Sequence, residues 1–110
     1  MENQEKTANE VKKEEGVYKY TFKRPYTYEG KEYKEMTFRF RDLKGEDMID
    51  IENEMQAMSE YALAPEISAS FLSKLAAKAA KVGSDVITNL PIGEFAKIKN
   101  AARDFLVSQA

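Results

Sequence analysis

The sequence contains no histidine and no cysteine. The usual imidazole base and thiolate nucleophile are therefore missing, and no disulfide framework can form. The Ser residues at 59, 68, 70, 73, 84 and 108 have no imidazole to activate them. Glycine is sparse and scattered, at 16, 30, 45, 83 and 93, so there is no Gly-rich loop to cradle a phosphate. No apolar run approaches the roughly 18 residues that cross a bilayer. The opening MENQEKTANEVKKEEG lacks the apolar centre of an export signal. These absences point away from an enzyme and from a membrane protein. The expectation is a soluble, intracellular protein with no cofactor.

What is present fits one domain. The chain has 110 residues with 43% hydrophobic content, enough for a single small core. A net charge of −2 hides a segregation by sign. Residues 16–41 carry seven Lys/Arg against three Glu, and residues 42–66 carry eight acids against Lys44. The plain reading is two neighbouring segments that attract each other. Residues 1–15 are almost wholly polar and cannot offset the entropy of ordering, so a flexible tail is expected there, followed by one domain over 16–110.

From Val17 the pattern alternates with period two. Tyr18, Tyr20 and Phe22 share one face; beyond Gly30, Met36, Phe38 and Phe40 share another. Both runs read as half-buried strands of a hairpin over 17–41. Register favours a three-residue loop, Tyr28-Glu29-Gly30, which sets Phe22 by Met36, Tyr20 by Phe38 and Tyr18 by Phe40. A two-residue loop at Glu29-Gly30 would set Phe22 opposite Thr37 and split the apolar sets between faces. Pro25 lacks an amide hydrogen and predicts an edge or an irregularity in the first strand.

The remainder reads as about three helices, near 45–61, 66–82 and 92–108. Met48, Ile51, Met55 and Met58 form a stripe at spacings of three and four, widened by Ile49. Pro65 stands near the second start, followed by Ile67, Phe71, Leu72, Leu75, Ala79 and Val82, with Gly83 as a natural stop. SDVITN is a connection with room for a turn of helix. Phe95, Ile98, Ala102, Phe105 and Leu106 share the last helical face. Leu43 precedes Met48 by five positions and Leu90 precedes Phe95 likewise, with Asp47 and Glu94 in the first turns. That is the spacing of a hydrophobic staple with an acid at the positive end of the helix dipole. The fold class is therefore α+β: an N-terminal antiparallel β-hairpin packed against about three C-terminal α-helices.

Two constellations invite a ligand. Glu46, Asp50 and Glu54 stand four apart on one helix face, as hard-cation ligands would, but opposite the apolar stripe, where a solvated face is expected. No metal site is expected. The hairpin interleaves aromatics with Lys19, Lys23, Arg39 and Arg41, as single-strand binders do. Against a nucleic acid stand the acidic pI near 5.3 and the lack of a strongly basic helix.

The order of features resembles the tail assembly chaperone family of long-tailed bacteriophages. TFKRPYTYEGKEYKEMTFRF is similar to the family's opening, with Arg24-Pro25 and Gly30-Lys31 the most telling residues. LKGEDMIDIE and ITNLPIGEFAKIKNAARDFL resemble its later helix starts and terminal helix. The resemblance spans residues 18–106. It implies a non-enzymatic protein of the bacterial host cytoplasm, from a phage or prophage. Such a protein binds the tape measure protein and helps tail tube subunits assemble around it. The alternatives are a small nucleic-acid-binding or regulatory protein using the basic hairpin, and a structural tail subunit.

A holder of another protein needs adaptable apolar surface. Candidates are the thioethers of Met55 and Met58 and the turn-side cluster Tyr26, Tyr28 and Tyr33 with Arg24. The competing readings are that the Met stripe is core and that the tyrosines pack on themselves. Homo-oligomerisation through the hairpin's free edges stays open, although Lys and Glu on both strands argue against uncontrolled pairing.

Overall fold

A computed structural model describes residues 15–60, 64–65 and 68–108. The expected tail lies outside these residues but for Glu15, as does Ile67. The chain forms β1 (Val17–Tyr28), β2 (Lys31–Arg39) and a 3-10 turn (Phe40–Asp42), then four helices. These are α1 (Gly45–Ala57), α2 (Ala69–Ala80), α3 (Ser84–Thr88) and α4 (Ile92–Ser108). The α+β class with an N-terminal hairpin and C-terminal helices is what the alternation and the later periodicity dictate. SDVITN contributes a fourth, short helix, α3.

The turn differs from the expected one. Tyr28 pairs with Lys31, so the loop is the two residues Glu29 and Gly30. Both have positive φ, 49° and 80°, as a type I′ turn requires. The apolar sets nevertheless share a face, because the register slips between Thr21 and Tyr26. Four residues of β1, 22–25, stand against Lys34 alone. That odd surplus of three restores the parity the short turn would have reversed. Pro25 explains the location, since it cannot donate to a ladder. Beyond the slip, Tyr20 opposes Met36 and Tyr18 opposes Phe38, where the longer loop would have set Phe22 and Tyr20.

The core lies between the hairpin's inner face and the helices. Met36, Phe38, Phe40, Tyr20 and Phe22 are buried, while Tyr18 stays half-buried at the strand's start. Phe40 sits in the 3-10 turn, its ring stacked between Phe38 at 6.0 Å and Phe105 at 5.5 Å. Helix α2 is the central element and packs on β2, α1, α3, α4 and the 3-10 turn. Ala76, Ala77 and Ala79 are buried on it, and their small side chains permit this close approach from several sides.

Helix boundaries follow local chemistry. Asp47 accepts the Lys44 N–H at 2.7 Å, satisfying a donor at the start of α1 although Lys44 itself is a poor cap. Ser68 caps α2 by accepting the Phe71 N–H at 3.1 Å. Helix α2 stops at Lys81, which adopts the left-handed conformation at φ 59°, two residues before the expected stop at Gly83. Gly83 instead precedes α3 with an ordinary φ of −70°. Helix α1 ends at Ala57, so its stripe is shorter and narrower than the spacing implied. Ile51 and Met55 are buried, Met48 is half-buried, and Ile49 and Met58 are exposed.

Candidate partner-binding surfaces

The hairpin tip is an aromatic cluster held against α3. Tyr26 stacks on Tyr28 at 6.3 Å and on Tyr33 at 5.9 Å. The Tyr26 hydroxyl donates to the Val86 carbonyl at 2.8 Å, and the Tyr28 hydroxyl donates to the Asp85 carboxylate at 3.1 Å. Burial pushes both phenols above the usual tyrosine range, and for Tyr28 the Asp85 hydrogen bond adds to it. The short α3, beyond the three helices that the sequence predicts, reaches the tip. All three rings are half-buried, and Lys31 lies 5.3 Å over the outer ring, Tyr33.

The six residues expected to meet a partner therefore do not form one patch. Tyr26, Tyr28 and Tyr33 are brought together, with their packing mostly used internally. Arg24 is exposed in the irregular stretch of β1. Met55 is 2% exposed and belongs to the core, whereas Met58, at the end of α1, is 63% exposed. A thioether buried to that extent offers nothing to a partner without unfolding α1.

A second surface was not legible as a unit in the sequence. A cleft of about 570 Å³ opens beside the 3-10 turn, floored by Leu43, Met48, Leu75, Phe105 and Leu106 and edged by Glu15, Arg41 and Lys44. Leu43 and Met48 are the two ends of the staple, and Phe105 and Leu106 close the apolar face of α4. The signal that could have joined them is that both helix ends carry more apolar residues than a two-sided core contact uses. Gly16 is at the cleft's edge, where its carbonyl accepts the Arg41 N–H at 3.0 Å.

The acids of α1 do not gather. Glu54 reaches Lys74 of α2 at 3.6 Å, and no group of three or more potential metal-ligating side chains occurs among the described residues. In the corner between hairpin and helices, Arg39 pairs with Asp42 at 2.9 Å. That contact holds the Asp42 carboxyl below its ordinary range. No helix among the described residues is long and apolar enough to cross a membrane.

No curated protein and no solved structure matches the chain. A family model described as "Phage tail assembly chaperone proteins, E, or 41 or 14" matches residues 19–107. That span begins in β1 and ends one residue short of the end of α4. It takes in most of the hairpin, the tyrosine cluster and the floor of the cleft, and by that match the chain belongs to the phage tail assembly chaperone proteins.

Proposed function

We propose that the chain binds the tape measure protein, keeps it soluble in the host cytoplasm and helps tail tube subunits assemble around it, without catalysis. The observation that carries this reading beyond family membership is the cleft. Its floor is apolar and its edge carries Arg41, Lys44 and Glu15, which suits an amphipathic helix with charged residues beside its apolar stripe. Met48 on the floor is flexible enough to follow varied side chains. Exposed Met58 and Arg24 and the outer face of Tyr28 form secondary contacts.

Co-expression with a tape measure protein tests it. The expected outcome is co-purification and a larger soluble fraction of the client, both reduced by Met48→Asp and left intact by Ile92→Ser at an exposed site remote from the cleft. No co-purification with the unaltered chain overturns the reading. Recovery of the chain in purified virions would favour a structural tail subunit instead.

A further inference from the structure

No strand among the described residues covers the outer edge of β2. A groove of about 580 Å³ runs beside residues 31–37, with Ala80, Lys81 and Val82 on its far side. Among the described residues β2 pairs only with β1, in a sheet of two strands. Such an edge presents unpaired backbone groups, which proteins either blunt or use. Tyr28 and Lys31 close the turn. The alternation of an antiparallel ladder then directs the N–H and C=O of Lys31 and Tyr33 towards β1. Those of Glu32 point outwards, and Lys34, opposite the irregular stretch, has no partner on β1.

The charges along this edge have a symmetry that their count alone conceals. The run is Lys31-Glu32-Tyr33-Lys34-Glu35, with its four charged residues exposed. Laid antiparallel on itself about Tyr33, it sets Lys31 opposite Glu35 and Glu32 opposite Lys34, twice over. Every charge meets its opposite, and the two Tyr33 rings meet at the axis. The same centre pairs the outward backbone groups of Glu32 with the backbone of Lys34, which has no partner on β1. None of the four charges has an ion-pair partner among the described residues. Lys and Glu on an edge usually deter pairing, but in this order they deter other registers and other strands while favouring one.

We propose that β2 is a self-recognition edge. Two copies of the chain join their hairpins across a two-fold axis at Tyr33, giving a continuous four-stranded antiparallel sheet. Such an interface is isologous and closes at two copies. It holds whether or not a tape measure protein is the client.

Sedimentation of the full chain across a concentration series tests this. The unaltered protein is expected to dimerise. The double variant Lys31→Glu, Lys34→Glu and the double variant Glu32→Lys, Glu35→Lys each place like charges opposite. Each should weaken self-association about tenfold or more, with unchanged circular dichroism. Mixed in equal amounts, the two variants should form a hetero-pair by native mass spectrometry. In this cysteine-free chain, Tyr33→Cys should cross-link on mild oxidation, since residues facing each other at a non-hydrogen-bonded position are close enough for a disulfide. Thr21→Cys on β1 should not. An unaltered chain that stays monomeric, a dimer indifferent to both reversals, or a mixture that does not pair would each overturn the proposal.

Discussion

The Tyr20 hydroxyl donates to the Glu94 carboxylate, joining β1 to the first turn of α4 across 74 positions of sequence. Tyr20 is 8% exposed, so this is a charge-assisted bond at the margin of the core. Its phenol is pushed up to about 12, first by the hydrogen bond to Glu94 and then by burial. The neutral phenol is thus favoured in the folded chain over the unfolded one. The stability it contributes is fully present below the ordinary tyrosine value of about 10 and is lost as pH rises from there through about 12. Tyr20→Phe should cost about 1.5 kcal/mol near neutral pH. It should also flatten the alkaline fall in stability, as measured by urea unfolding at a series of pH values.

Gly16 has φ +79°, and a Cβ built there would lie 2.7 Å from the Cβ of Arg41 and 3.3 Å from the Phe105 ring. Neither the backbone region nor the space suits an alanine. Gly16→Ala should destabilise the fold by about 2 kcal/mol, read as a lower thermal midpoint. Amide exchange at Arg41 should rise, because its N–H bonds to the Gly16 carbonyl.

Glu29 occupies the first central position of the turn with φ 49°, a conformation that asparagine tolerates better than glutamate. Glu29→Asn should raise stability by about 0.5–1 kcal/mol in denaturant unfolding, with the slope of the transition unchanged. A loss of stability would contradict the two-residue turn.

The two methionines that end the α1 stripe should behave oppositely. Met55→Ala removes a buried side chain and should cost about 2–4 kcal/mol. Met58→Ala, at an exposed site, should change stability by less than about 0.5 kcal/mol. Equal losses at both positions would mean that Met58 is covered in the free protein.

Much of the fold was legible because it rests on strong periodicities. Tyr20, Phe22, Met36 and Phe38 declare an inner face by alternation, and Phe71, Leu72, Leu75 and Ala79 declare a buried helix. Less was legible where two local rules conflict. Glu29-Gly30 matches a two-residue turn and the alternation argues against it. The conflict disappears only through an irregular stretch at Pro25, whose length no pattern reveals. Lys81 ends α2 despite the nearby Gly83, taking the left-handed conformation itself while the Val82 N–H bonds back to the Ala77 carbonyl. The cleft was illegible for a different reason: its floor draws on α1, α2 and α4, and no linear spacing relates Met48 to Leu75 or Leu106. Met55 and Met58 look alike in sequence, and only where α1 ends separates them.

The unequal stretch at residues 22–25 divides the hairpin into two halves whose facing is set independently. Adding or deleting one residue there would roll the tyrosine tip over while leaving the base, from Val17 to Thr21, seated as before. Changes in length at this point should survive in pairs and fail singly, which makes it a phase gate on how such a hairpin can diverge.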